Sequence, residues 1–321
     1  MEEFNIKSNK LQKLISLKQL LQKGVEYIPE LQSYLGKIDR IVNTLKDGEI
    51  SVVLLGSFSD GKTSAIAGLL GRLEYNMKID NDESSDELTV YRPMDLKKGF
   101  KIIDTPGLFG TKEREIDGKN VRFSQITERY ISEAHIIIYV CDAVVPLKDS
   151  HVEIIRRIMR DYHKLDNTIF VINKMDEAGF DLRDEDDFAN GCKIKKENLI
   201  SRLRSTINLS PDEEKRLHIV CISADPKGKG LHYWFSKIDS YYERSHIKDL
   251  RNCVNAIVNN VEVDKLSSST YETSVTDVVD GLHKAISCTE KPVSKAIVKM
   301  ERDCEEIEED GQVMGRFLRM V

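Results

Sequence analysis

The sequence predicts an α/β domain, a mostly parallel sheet with helices on both faces and one antiparallel edge strand, flanked by helices at both ends of the chain. Three observations predict it. Between about Gly48 and Pro226 short β-branched runs alternate with longer amphipathic segments. On either side of that region apolar residues recur at helical spacing. A glycine-rich turn, "LLGSFSDGKTS" at Leu54–Ser64, stands where the first β-branched run must pass into a helix.

Taken in order, the chain from about Asn9 to Lys46 is helical in texture, with Leu11, Leu14, Ile15, Leu17, Leu20 and Leu21 on one face. Pro29 is expected to end this helix, and a second runs through Leu31, Leu35, Ile38, Ile41, Val42 and Leu45 until Asp47–Gly48 breaks it. The strands are expected at Ile50–Leu55, Lys101–Asp104, His135–Cys141, Thr168–Asn173 and His218–Ser223. An extra strand near Thr89–Met94, turning through "LKKG" into Lys101, supplies the antiparallel edge. Helical texture returns beyond Gly230. The expected division is residues 1–47 as N-terminal helices, 48–245 as the α/β domain and 246–321 as a C-terminal helical segment. Each helical end is too short for a large core of its own. The two are expected to form a short bundle together, the alternative being that each packs separately on the central domain.

Composition narrows the partners. Of 321 residues 40% are hydrophobic and 32% charged, as in a soluble helix-rich protein, and a net charge of -6 speaks against nucleic acid as the main ligand. The N-terminus carries no apolar signal segment, and the longest apolar run, "AHIIIYV" at Ala134–Val140, is far below the roughly 18 residues of a membrane span. Six scattered cysteines without a C-x-x-C pair read as reduced thiols of a cytoplasmic protein. Trp234, with Tyr233 and Phe235, reads as packing for a helix rather than a binding cage. The terminal "GRFLRMV" has the mix of an interfacial segment, but the acidic run before it opposes anionic lipid, so a packed helix end is the better reading.

The chemistry lies in four motifs. Gly56, Gly61, Lys62 and Thr63 satisfy G-x-x-x-x-G-K-[ST], a loop whose backbone N–H groups surround phosphate oxygens at a helix N-terminus. Gly56, Ser57, Phe58, Ser59, Asp60, Gly61, Lys62, Thr63 and Ser64 would line the phosphates, Lys62 reaching the β- and γ-groups and Thr63 holding Mg²⁺. "DTPGL" follows the Lys101 strand; Asp104 would organise Mg²⁺, largely through water, and the Gly107 N–H would sense the γ-phosphate. "NKMD" chooses the base: Asp176 can accept from guanine N1–H and N2–H₂, a donor pair adenine lacks. Lys174 would cover the base plane, and Asn173 would tie the base loop to the phosphate loop. "CISA" places Ser223 and Ala224 to offer backbone N–H to guanine O6. Four such motifs, each at a strand's carboxyl end, make GTP the expected ligand and GDP its product. Thr89 is the expected switch threonine for Mg²⁺ and the γ-phosphate, with Ser84, Ser85 and a plain strand role for Thr89 as alternatives.

These residues resemble the dynamin superfamily, and within it the bacterial LeoA-type dynamin-like proteins. The resemblance rests on "GSFSDGKTS", "ESSDELTVY", "IDTPGLFG", "YISEAHIIIYV" with "KDSH", and "YWFSKIDSYYERSHI". It covers about Gly48 to Leu250 well and the ends by texture only. It implies a GTPase that dimerises through its nucleotide face, with helical ends as a lever, possible contact with a cognate dynamin-like partner or a membrane surface, and a monovalent cation offsetting phosphate-loop charge. Two departures stand out. Leu108 occupies the position after D-x-x-G where small GTPases place glutamine, and Phe58 the phosphate-loop position where dynamins do. Ser59 matches the dynamin phosphate-loop serine, leaving Lys62, Ser59 and Thr89 as the catalytic candidates. An isolated subunit is expected to turn over slowly. The competing readings are a regulatory switch that recruits a protein effector and a low-turnover nucleotide-dependent scaffold. The helical part also looks short for a dynamin stalk, so the chain reads as a rudimentary form, one completed by a partner, or a fragment.

Overall fold

The computed structural model describes residues 2–26, 28–47, 49–74, 89–91, 100–105, 113–116, 119–122, 130–260, 270–285 and 287. Among them, helices α1 (Glu2–Gly24) and α2 (Gln32–Asp47) precede strand β1 (Ile50–Leu55) and helix α3 (Lys62–Leu70). Then come β2 (Thr89–Tyr91), β3 (Phe100–Asp104), a hairpin of β4 (Glu113–Ile116) and β5 (Lys119–Arg122), and β6 (Ile136–Asp142). Helix α4 (Val152–Arg156) runs on as a π-turn through Asp161, and β7 (Thr168–Asn173), α5 (Glu185–Ile207), α6 (Pro211–Arg216) and β8 (His218–Cys221) follow. The last described helices are α7 (Leu231–Phe235), α8 (Ile238–Ser245), α9 (Ile247–Asn260) and α10, residues 270–285.

The main sheet has the order β2-β3-β1-β6-β7-β8. All its pairs are parallel except β2 with β3, where Thr89 faces Asp104, so the edge strand runs as expected. Side chains alternate across this sheet, as a two-residue period requires. Val52, Leu54, Ile138 and Val140 face α3 and α9, meeting Ala65, Ile66, Leu69, Ile247, Leu250, Val254 and Ile257. Val53, Leu55, Ile137 and Tyr139 face the other layer, meeting Ile155, Ile158, Met159, Leu199, Leu203 and Ile207. A sheet buried on both faces explains why β1, β6 and β7 read as unbroken apolar runs.

Four expectations change. The first helix starts at Glu2 and stops at Gly24; Pro29 opens a 3-10 turn, Pro29–Leu31, because proline lacks only an N–H that a first turn leaves unused. Phe100 and Asp142 join their strands, while β8 ends at Cys221. The β4–β5 hairpin was not expected. Finally, α9 belongs to the core of the sheet, and the described residues divide into two compact units after Asn43 and after Ser274 rather than after Ser245.

Within the smaller unit α2 and α10 come together: Lys37 forms an ion pair with Asp277, and Gly281 lies against the Tyr34 ring. Within the larger unit, the amino ends of the strands hold a buried polar cluster. Lys164, fully buried, donates to the Ala134 carbonyl at 2.8 Å and to Thr270 Oγ1 at 3.3 Å. His135 Nδ1 accepts from the Ser51 N–H at 3.1 Å. Trp234 is also buried, and its indole N–H donates to the Pro226 carbonyl at 3.0 Å, as a packing role for this side chain requires.

Candidate functional site

The carboxyl ends of β1, β3, β7 and β8 bring the predicted residues together. Gly56 leaves β1 with φ 148°, and a Cβ there would stand 2.3 Å from the Val140 carbonyl oxygen, so only glycine lets the loop turn against β6. Gly61, φ 83°, turns the chain into α3, and a Cβ would strike Asn173 Nδ2 at 2.4 Å. The loop between is tied by its own groups: the Ser57 N–H donates to Asp60 Oδ2 at 2.8 Å. Ser59 is exposed at its crest, Ser64 is half-buried in the first turn of α3, and Phe58 lies in the short 3-10 turn Phe58–Asp60.

Lys62 is buried, its ammonium donating to the carbonyls of Ser57 at 2.8 Å and Gly56 at 3.2 Å. Burial pushes its pKa down, opposed by the charges of Asp104 and Asp60. Thr63 Oγ1 donates to Asp104 Oδ2 at 2.8 Å, while Asp104 Oδ1 is buried with no hydrogen-bond partner among the described residues. Burial raises the Asp104 pKa, with Lys62 and the Thr63 hydroxyl pulling the other way. An orphaned carboxylate oxygen beside a hydroxyl is a hard-oxygen donor set, and it fits magnesium, which keeps several waters and takes few protein ligands. Thr89 lies at the start of β2, cross-strand from Asp104 and half-buried. Gly107 and Leu108 lie outside the described residues, as do Ser84 and Ser85.

At the base end, Asn173 spans the two loops as expected: Nδ2 donates to the Asp60 carbonyl at 2.9 Å and Oδ1 accepts from the Ala224 N–H at 2.9 Å. Asp176 accepts from the Ser223 hydroxyl on one oxygen and from the Lys227 N–H on the other. A carboxylate has about four lone-pair positions, so two remain for a donor pair on the base. Lys174 adopts the left-handed region at φ 64°, with its ammonium 3.9 Å from Asp142. The Ser223 N–H donates to the Ser245 carbonyl at 3.0 Å and the Ala224 N–H to Asn173, so both amides assigned to guanine O6 are already bonded within the protein. The reason is that "CISA" turns back onto the end of α8, a contact no local pattern announces.

Sequence reasoning missed a second layer beneath the phosphate loop. Lys148 forms an ion pair with the buried Asp60 at 2.8 Å. His151, buried, sits between Ser57 Oγ, 3.0 Å from Nε2, and Tyr139 OH, 2.7 Å from Nδ1. Burial lowers its pKa to about 4, so the ring is neutral. The available signal was the segment "KDSH", which carried part of the resemblance without a role attached.

A model of the dynamin family matches residues 72–175, and one described as a dynamin-like helical domain matches residues 209–318. Among solved structures, the LeoA bacterial dynamin GTPase from ETEC is similar at 40% identity and a TM-score of 0.57, over 89% of this chain and 48% of that one. A curated relative, the probable transmembrane GTPase FZO-like, chloroplastic, of Arabidopsis thaliana, is 24% identical over 197 residues, 53% of this chain and 20% of its own length. The chain thus spans about half of the first and a fifth of the second. One family model runs from before β2 to the end of β7 and the other from α6 through β8 into the helices after it, and both describe dynamins: over sheet and helices alike, what this chain is similar to is the dynamin superfamily.

Proposed function

We propose that this chain binds GTP with magnesium, hydrolyses it to GDP and inorganic phosphate, and dimerises through its nucleotide face, with its helical ends as a lever and a membrane surface as a peripheral site of action. The observation that carries the reading is the convergence of Lys62, Thr63 and Asp104 with Asn173 and Asp176 at the carboxyl ends of the strands, joined by the Asn173–Asp60 bond. Lys62 would leave its carbonyl partners for the β–γ bridge, where charge builds as the bond to the γ-phosphorus breaks. Magnesium, held by Thr63 and Asp104, with Thr89 as a further proposed ligand, would neutralise phosphate oxygens. Water attacks phosphorus, and its proton leaves with inorganic phosphate.

The missing piece is a group to orient that water. Neither Phe58 nor Leu108 can hydrogen-bond through its side chain, so we infer that Thr89, Ser59 and the loops of a second subunit position it, with a monovalent cation assisting. Val144 and Val145, 61% and 45% exposed, follow the carboxyl end of β6 and offer apolar surface on that side of the sheet. Among the described residues no helix is long and apolar enough to cross a membrane. Phe58 also favours a second reading, a low-turnover scaffold or effector-recruiting switch. The test is nucleotide binding and turnover by the full chain. Preference for GTP over ATP and phosphate release that rises with protein concentration are expected. Equal binding of ATP overturns the guanine reading, and negligible release at every concentration selects the scaffold.

A further inference from the structure

We propose that the turn formed by residues 148–151 is a positioning element for the nucleotide phosphates: Lys148, acting through Asp60, sets the charge the loop presents, and His151, acting through Ser57, sets where the Lys62 ammonium is held before it moves to the phosphates. This rests on the reading of the loop as a guanine-nucleotide site.

A buried carboxylate is a liability in a loop whose ligand is a polyanion. Asp60 is 1% exposed and belongs to the phosphate loop itself. Uncompensated, it would cancel the charge Lys62 offers. Lys148 answers it at 2.8 Å, so Lys62, Asp60 and Lys148 together present one net positive charge. Removing Lys148 brings that sum to zero.

His151 acts on geometry. A neutral imidazole has one N–H, so it donates to one hydroxyl and accepts from the other, and the row Tyr139–His151–Ser57 is directional. The Ser57 carbonyl in turn holds the Lys62 ammonium at 2.8 Å. Asp60, Lys148 and Lys62 are the charges that face the imidazole; Tyr139 is set edge-on against both it and Phe170. Leu147, fully buried just before the turn, anchors it to the core, so both side chains are delivered from one fixed point.

The experiment compares affinity for GDP and for a non-hydrolysable GTP analogue in the full chain and in Lys148→Met, Asp60→Asn, the Asp60→Asn/Lys148→Met double variant, His151→Phe and His151→Gln, with thermal melting recorded for each. Lys148→Met is expected to bind the triphosphate about tenfold more weakly and the diphosphate less so, because the lost attraction scales with ligand charge. The double variant recovers most of the loss. His151→Phe weakens triphosphate binding, and His151→Gln, which can still bond Ser57, recovers part of it. A merely structural role would weaken both nucleotides equally and in step with the loss of melting temperature, and Asp60→Asn would then restore melting and both affinities alike. Unchanged binding in Lys148→Met, equal losses for the two nucleotides, or no recovery in the double variant overturns the proposal. Failure of the unaltered chain to bind either nucleotide overturns the guanine reading and this proposal with it.

Discussion

Asp176 already holds the Ser223 hydroxyl and the Lys227 N–H, so a base reaching it must bring donors to its remaining lone pairs. Asp176→Asn turns one acceptor into a donor that faces donors. Guanine nucleotide affinity should fall by about 3 kcal/mol, roughly a hundredfold, and xanthosine nucleotide, with an oxygen at C2, should gain; competition binding reads both. Protonation gives a second expectation. Burial lowers the pKa of His151 to about 4 and, more strongly, that of His135 to about 3. Below pH about 6.5 the unfolded chain therefore binds protons that the folded chain refuses, and stability should drop as pH falls from there toward 4. Lys164, lowered to about 7 by burial, has the same sign at higher pH: stability should rise from pH 7 to about 10, where only the unfolded chain keeps the proton. Denaturant midpoints across pH check both, and Lys164→Met should flatten the alkaline limb. That Lys62, Thr63, Asp104, Asn173 and Asp176 come together was legible because the proposed contacts to phosphate, metal and guanine each demand a residue type at a fixed spacing. Lys148 and His151 were not, since they serve the loop from below and any hydrogen-bonding residue at a comparable reach satisfies that need.

Elements were legible in proportion to how fully they are buried. The runs that became β1, β6 and β7 announce themselves because both faces of the sheet are covered. The β4–β5 hairpin, "EREI" and "KNVR", has no apolar alternation to betray it. The apolar stripe of α9 says that one face is buried but not against what, and the partner proved to be α3 and the sheet. That contact is close: a Cβ on Gly68 of α3 would lie 2.4 Å from Tyr241 OH and 2.9 Å from Ile247 Cγ1. Alanine is ordinarily the better helix residue by about 1 kcal/mol. Here Gly68→Ala should instead destabilise by about 1–3 kcal/mol through overpacking, read as a lowered denaturant midpoint. A gain in stability would mean α8 and α9 shift freely on α3.

For the whole molecule the expectation concerns number of subunits. With Phe58 in the phosphate loop, specific activity should climb over a wide range of protein concentration, and sodium and potassium should differ in how far they support it. A rate already fast and flat in dilute monomer would place the water contact in this subunit and remove the need for a partner. Following such assembly ordinarily calls for a dye or a tag. The chain has a single tryptophan, and that indole bonds the Pro226 carbonyl, one residue before the amide that holds Asp176. Its emission colour is therefore a native optical gauge of the proposed base pocket: a shift on exchanging GDP for GTP can be timed by stopped flow on unlabelled protein, with no other tryptophan in this chain to dilute the signal.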